Sequence, residues 1–387
     1  MRSGEVFMSA TLEDVARRAR CSPATVSRVV NRVGQVSETM RKRVLRIAKD
    51  LGYLPEAVAE VQETWPVIRR PRGGTPAAGY LEIVLHRHSP FEPLEVDGGR
   101  IEIRPLTPSP TGAELVKAFR SGDSFYRGVV DGMVEEAACW GYQTILQPNS
   151  ALRDAGLLDG LHRPEKAGVL LTGEYSPDLE GFVAACRKPL VLADLISDAG
   201  PPVVTTDNAR GIAEAFAHLR ELGHRRIGFA GGPPEVADRT GRHPAYRWQM
   251  AMAGLPVDPA WVHLESPHMV HVAAWARRAL ANPGRPTAIL CQNDFIALSI
   301  VRTAQQMGLT VPGDLSVIGY DDLEVASLLT PALTSVRVPT QDLGRLAVRE
   351  LMLQISTRNR ARPLAQRIDV PPKLAVRAST DKARSPS

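Results

Sequence analysis

The sequence predicts a small all-α helix-turn-helix head joined to a large α/β core of parallel sheets covered on both faces. Three observations carry this reading. Residues 11 to 51 hold short helical patterns with their own start and stop signals. From Gly79 onward, short apolar runs alternate with helical patterns. The charge is also uneven: residues 1–50 hold eleven Lys/Arg against five acids, while the remaining 36 basic and 37 acidic residues nearly cancel. A basic head on a neutral body is the footprint of a polyanion binder. A chain of 387 residues is also too long for one ordinary domain.

The head reads as three helices. Thr11 with Asp14 makes an N-cap, and Leu12, Val15, Ala16 and Ala19 give the first helix one apolar stripe. Ser22 caps a second helix, where Pro23 fits the first turn because no amide hydrogen is needed there. Val26, Val29 and Val30 turn inward. Ser37 caps a third helix that runs to about Leu51, with Val44, Leu45, Ile47 and Ala48 closing a small core before Gly52 stops it. The tight turn between the first two helices makes a helix-turn-helix whose second helix suits a DNA major groove.

The core reads as strands at LEIVL, AGVLLT, PLVLAD, RRIGFAGG, TAILCQ and LSVIGYDD. Helices are expected at 125–141, 208–222, 246–254, 270–281, 295–307 and 341–356. No sequence repeat is evident. The expected domains are a head over 10–55, a hinge and linker over 56–78, and a core over 79–380 with an atypical insertion at about 87–123. Within that insertion LEVDGGRIEI has hairpin character around Asp97, Gly98 and Gly99, and a Pro-rich turn follows.

Several function classes find no support. Cys21, Cys139, Cys186 and Cys291 lack CxxC spacing, so they are expected to be buried free thiols. His86 and His88 form a lone H-x-H without a third ligand and are expected at the surface, with no metal site and no cofactor. GFAGGPP lacks the Lys-Ser/Thr of a phosphate-binding loop, and no G-x-S-x-G or H-E-x-x-H occurs, so no catalytic residue is assigned and an enzyme is not expected. No apolar run reaches membrane-spanning length and residues 1–10 lack a signal-peptide core, which predicts a cytoplasmic protein without a membrane partner. Met8 stands as an alternative start to Met1.

TLEDVARRARCSPATVSRVVN followed by VSETMRKRVLRIAKDLGYLP resembles the DNA-binding head of the lactose-repressor (LacI/GalR) family. Arg20 departs from it, standing where the family usually has a turn glycine. The resemblance continues through TTDNARGIAEAFAHLRELGHRRIGFAGG, ILCQNDFIALSIVRTAQQMGLTVPGDLSVIGYDD, LTPALTSVRVP and KLAVRAST. It implies a core like periplasmic sugar-binding proteins, two doubly wound lobes with the chain returning to the first lobe near Val336 and again near the C-terminus.

The resemblance also implies partners and site residues. Pro23, Ala24 and Arg28 fall at base-reading positions, with Arg28 suited to the acceptor edge of guanine. Thr25, Ser27 and Asn31 fall at phosphate-contacting positions, and Thr11 and Ser22 at the helix starts join the DNA-contacting set. In the core, Asp194, Arg242 and Asp294 are the polar effector-binding candidates, Phe125 and Tyr126 would stack on a ligand ring, and Met269 would form a wall. Carboxylates accept from vicinal hydroxyls and a guanidinium donates a fork, chemistry suited to a sugar or another polyhydroxylated metabolite. The implied protein is a transcriptional regulator, a repressor, binding double-stranded operator DNA as a homodimer under control of that effector. The tail STDKARSPS has no leucine heptads, which favours a dimer over a tetramer. A solute-binding protein of the same fold, or a regulator sensing a non-sugar ligand, is the alternative.

The hinge departs from the family pattern. In PEAVAEVQETWP, Pro55 and Ala59 match, while Glu56, Glu60 and Gln62 stand where Asn, Arg and a minor-groove leucine are usual. Acids are repelled by phosphate and an amide is a poor wedge. Val58 or Val61 offers a wedge in a shifted register; otherwise the hinge stays out of the groove. The expected outcome is weaker operator bending than in a hinge-inserting relative. Installing Gln62→Leu, Glu56→Asn and Glu60→Arg together should tighten DNA binding and increase the bend in gels of circularly permuted operator fragments. A strong wild-type bend that is lost in Val58→Ala or Val61→Ala would instead make a valine the wedge.

Overall fold

The computed structural model describes residues 11–30, 36–51, 79–86, 124–149, 151–198, 200–265, 267, 269–282, 284–356 and 366–383. The hinge at 56–78, the insertion at 87–123, His88 and Asn31 lie outside these residues. The chain divides into two compact units, Met1–Ala78 with Trp140–Tyr142 and Gly79–Cys139 with Gln143–Ser387, each described by itself.

The head contains α1 (Leu12–Ala19), α2 (Pro23–Val30) and α3 (Glu38–Asp50). A capping box starts α1: the Asp14 amide donates to Thr11 Oγ1 at 3.3 Å and the Thr11 amide donates to Asp14 Oδ2 at 3.0 Å. Ser22 Oγ accepts from the Thr25 amide at 3.1 Å and Ser37 Oγ accepts from the Met40 amide at 3.4 Å, so the expected caps of α2 and α3 also form. Val15, Ala16, Ala19, Val26, Val29, Val44, Leu45, Ile47 and Ala48 bury themselves as the core. Arg20 takes φ 54° and ψ 50°, the left-handed conformation that the turn demands and that glycine adopts without strain.

The core holds two six-stranded sheets. The first lobe is built from β1 (Tyr80–His86), α4 (Ser124–Cys139), β2 (Gln143–Asn149), α5 (Ala155–Leu161), β3 (Lys166–Gly173), α6 (Leu179–Ala185), β4 (Leu190–Ala193) and β5 (Val203–Thr206). The second follows with α7 (Asn208–Glu221), β6 (Ile227–Ala230), α8 (Pro234–Arg239), α9 (Arg242–Met252), β7 (Val262–His263), α10 (Met269–Ala281), β8 (Ala288–Cys291), α11 (Asp294–Gln306), β9 (Ser316–Asp321), α12 (Glu324–Leu328) and β10 (Thr334–Arg337). Then come α13 (Thr340–Ser356), β11 (Arg367–Val370) and β12 (Lys373–Ala375).

The strand order is β11-β5-β4-β3-β1-β2 in one sheet and β12-β10-β9-β8-β6-β7 in the other. The lobes therefore repeat one topology although their sequences show no repeat. All pairings are parallel except β10 with β12. The chain crosses from the first lobe to the second after β5, returns with α13 and β11, and crosses again into β12. The chain returns to the first lobe directly after Val336, between β10 and α13, as expected, but one expectation needs correction: the last crossing, after β11, runs into the second lobe rather than back to the first. The reason is pairing: Lys373–Ala375 finds its hydrogen-bonding edge on β10.

In the first lobe α13 lies close against α4. A methyl group at Gly132 would collide with the Gln341 carbonyl, and one at Gly344 with the Val129 carbonyl, so glycine is required for this approach. Arg349 of α13 meets Glu136 of α4 in a buried bidentate pair with both N···O distances 3.0 Å. Next to it Glu350 is fully buried, and neither of its carboxylate oxygens has a hydrogen-bond donor among the described residues. Burial pushes the Glu350 carboxyl up to about 7.

A carboxyl whose pKa is higher folded than unfolded holds more protons in the native state, so stability falls as pH rises between the two values. Glu350 should therefore cost stability between about pH 4.5 and about 7, and the loss should level off above that. Glu350→Gln is expected to flatten this part of the stability profile and to be more stable than wild type at pH 8. Urea unfolding at pH 5 and pH 8 checks both statements, and equal slopes for the two proteins would contradict them.

Candidate DNA-reading face and inter-lobe cleft

On the head, Ser22, Pro23 and Ala24 are exposed at the start of α2, while Val26 and Val29 face the core. Arg28 lies one helical turn after Ala24 on the same helix, and Ser27 precedes it. The head also exposes Arg17, Arg18 and Arg20 on or just after α1, and Lys42, Arg43 and Arg46 on α3. Thr11 is exposed but occupied by its capping box, and the Ser22 and Thr25 hydroxyls lie 2.9 Å apart. Thr11 and Ser22 serve the helix starts as caps, and the Thr25 hydroxyl pairs with the Ser22 cap. A helix N-terminus that presents small side chains lets its backbone amides approach phosphate.

In the core, strand carboxyl ends from both lobes face one cleft, where ligands of doubly wound sheets bind. Asp194 directly follows β4 and Asp321 ends β9, and both are held in left-handed backbone conformations, φ 54° and φ 96°. Between them sits Arg242, the first residue of α9, placed by Gly241 at φ 77°. Arg242 is buried. Its Nε donates to Asn208 Oδ1 at 2.7 Å, its Nη1 donates to the Gln292 carbonyl, and Nη1 lies 3.3 Å from Asp321 Oδ1. The guanidinium rests 3.7 Å from the centroid of the Tyr320 ring. Burial opposes its charge, yet Asp321, Tyr320, Asp194 and Tyr126 together hold its pKa above that of a free arginine.

The acids respond in the opposite sense. Burial pushes Asp321 up to about 6 against the pull of Arg242, with Asp194 adding to the rise. Asp194 is raised by burial too, against Arg242 and the Thr205 and Thr206 hydroxyls. Phe125 and Tyr126 open α4, half-buried, with their rings edge to face and centroids 5.2 Å apart. At the cleft mouth Arg239 of the second lobe lies 4.4 Å from the Tyr175 ring centroid and 3.6 Å from Asp198, both of the first lobe.

Not every expected residue faces this cluster. Asp294 is fully buried: its Oδ2 accepts from the Leu323 amide at 2.7 Å and its Oδ1 from the Ser335 hydroxyl at 2.6 Å. Its carboxyl is pushed up to about 7 by burial and by Asp321. Both oxygens thus bind the loop after β9 and strand β10, and the acid paired with Arg242 is Asp321. Sequence reasoning passed over Asp321, although an acid at the end of LSVIGYDD carried the signal. Asn208 was missed as well; it starts α7, and the sequence offered nothing to mark it. Met269 begins α10, and its side chain lies outside the described residues.

Two surface expectations also change. His86 is buried at the end of β1, and Cys139 is exposed while Cys291 is buried and Cys21 and Cys186 are half-buried. Position decides both: the β1 end is covered by the Gly173 turn, and Cys139 ends α4 on its outer side. Among the described residues no cluster of three metal-ligating side chains occurs. None of their helices is long and apolar enough to cross a membrane.

A three-helix head with an exposed α2 start, attached to a core of two doubly wound lobes around a polar cleft, defines a DNA-binding transcriptional regulator. The bacterial regulatory protein lacI family pattern matches residues 11–56, and the periplasmic binding protein-like domain pattern matches residues 216–380. The chain thus carries a lacI-family DNA-binding head and a periplasmic-binding-protein-like core. It is 29% identical to the HTH-type transcriptional repressor PurR of Photobacterium profundum, over 96% of this chain and 98% of that one. It is 29% identical to the ribose operon repressor of Haemophilus influenzae, over 90% and 93% of the two chains. The solved complex of the transcriptional regulator CelR with cellobiose is 26% identical, with a TM-score of 0.63 over 96% of this chain and 99% of that one.

Arg242→Leu should strand Asp321 in a buried site without its counter-charge and lower core stability by about 3–5 kcal/mol. Adding Asp321→Asn should recover part of that loss. Chemical denaturation of the two single variants and the double variant checks the coupling, and additive losses would show that the pair is not coupled.

Proposed function

We propose that this protein is a repressor that binds a pseudo-palindromic operator as a homodimer, one head per half-site, in the cytoplasm, without catalytic activity. A small polyhydroxylated effector, a sugar or related metabolite, binds between the lobes and controls operator affinity. The observation that carries this reading is the buried Arg242 held between carboxylates at strand ends of both lobes. Such a set grips vicinal hydroxyls from two sides and so favours one lobe arrangement. The names of the relatives, a ribose operon repressor and a regulator in complex with cellobiose, support a sugar-like ligand.

Effector and operator affinities are then linked reciprocally. On the head, Pro23 and Ala24 contribute apolar contact to base edges and Arg28 reads guanine, while Ser27 and Asn31 position the head on phosphate. In the cleft, Phe125, Tyr126, Asp194 and Arg242 contact the effector, and Asp321 joins them. Asp294 supports the wall from behind, and Met269 stands at the start of α10 as a further wall residue.

Arg28→Ala should weaken specific operator binding by about 1–3 kcal/mol while leaving nonspecific, salt-dependent binding largely intact. Fluorescence anisotropy on operator and scrambled duplexes over a salt series separates the two. Equal loss on both duplexes would make Arg28 a phosphate contact.

A further inference from the structure

The second lobe carries a groove at the edge of its sheet, walled by α9, the loop that follows it and the two-residue edge strand β7, with a volume of about 570 Å³. Arg247 and Ala251 line it from α9, and Leu255, Val257, Pro259, Val262 and Leu264 line it from the chain that runs on through β7. Two features keep the space open. Strand β7 pairs only with β6, through Val262 and His263, and among the described residues no further strand follows at that edge. Ala251 offers a single methyl one helical turn after Arg247, where a larger side chain would fill the groove. Trp248 and Met252, next along α9, are 64% and 68% exposed, so apolar surface continues past the groove.

The polar residues of the lining are His243 and Arg247, and they differ in what the protein asks of them. His243 is already engaged: its Nδ1 lies 2.9 Å from Asp238 Oδ1, and its ring packs near those of Phe229 and Tyr246. Asp258, in the loop after α9, accepts from the Ala260 amide at 2.9 Å. Arg247 is exposed and has neither a hydrogen bond nor an ion pair with another described residue.

We propose that this groove is a second ligand site, for a small amphipathic carboxylate whose apolar body covers Leu255, Val257, Val262 and Leu264 while its head pairs with Arg247. It shares no lining residue with the set formed by Asp194, Arg242 and Asp321 in the inter-lobe cleft. The lining itself selects the class. An inorganic anion would leave the apolar walls wet, and a neutral hydrocarbon would leave the guanidinium without an acceptor. A carboxylate accepts its fork in two parallel hydrogen bonds, whereas an amine head is repelled. A groove of this size, with mostly apolar walls and one placed charge, has the make-up of a small-molecule site.

Calorimetric titration of the full chain with octanoate, octan-1-ol and octylamine tests this, because the three share an apolar body and differ in the head. Wild type should bind octanoate roughly tenfold more tightly than octan-1-ol, and octylamine least of all. Arg247→Gln should reduce octanoate affinity to that of octan-1-ol, and Ala251→Trp, which fills the groove, should abolish binding of both. Both positions are exposed, circular dichroism verifies that each variant is folded, and either folded variant decides the question alone.

No binding of octanoate by wild type overturns the proposal. Octanoate bound undiminished by Arg247→Gln or by Ala251→Trp places the carboxylate elsewhere, the inter-lobe cleft included, and overturns it too. Sedimentation velocity tests the rival occupant: a smaller assembly in Ala251→Trp than in wild type would show a second copy of the chain seated in the groove and would rule out the ligand site, whereas equal assemblies leave the groove open to the carboxylate.

Discussion

A buried guanidinium is the constraint around which the core is arranged. Removing a charge from water is costly, and Arg242 is tolerated only because Asn208, the Gln292 carbonyl, Asp321 and the Tyr320 ring all meet it. Those partners come from the start of α7, the end of β8 and the end of β9, so one side chain fixes three element ends relative to one another. Asp194 and Tyr126 extend its electrostatic reach into the first lobe. This buried charge therefore stands where the lobes meet.

The surrounding architecture divides into stiff bodies and crossings. In the first lobe the glycine-mediated approach of α4 and α13, together with the Arg349–Glu136 pair, leaves little room for internal rearrangement. In the second, Asp294 ties α11 to the loop after β9 and to β10. Three short crossings join these bodies, after β5, after β10 and after β11. The contacts of Arg239 with Tyr175 and Asp198 are polar and partly solvated, so each contributes little to holding the lobes together.

The head solves a different problem with the same economy. Its core consists mainly of valines, alanines and one leucine, too small to tolerate poor helix ends, and each helix is capped by a Thr or Ser hydroxyl. Arg20 accepts a left-handed backbone where glycine would be unstrained, which adds a cation to the basic face at a conformational cost. Thr11 and Ser22 show that hydroxyls placed at helix starts are already engaged in the fold.

The amino-acid sequence by itself determined the head almost completely, because its caps, apolar stripes and turn are local signals spaced within a few residues. It also determined the class of the core, since buried parallel strands such as AGVLLT and LSVIGYDD announce themselves as continuous apolar runs. Tertiary structure decided what depends on distant pairing. The strands β7 and β12, of two and three residues, and the helices α5, α6, α8 and α12 have too few residues for a periodic pattern to register. The last crossing followed the free edge of β10, which sequence does not display. The choice between Asp294 and Asp321 was of the same kind: both are acids near strand ends, 27 residues apart, and only the folded chain turns one toward Leu323 and Ser335 and the other toward Arg242. A side chain's chemistry is written in the sequence, but its partner is set by which backbone segments pack together.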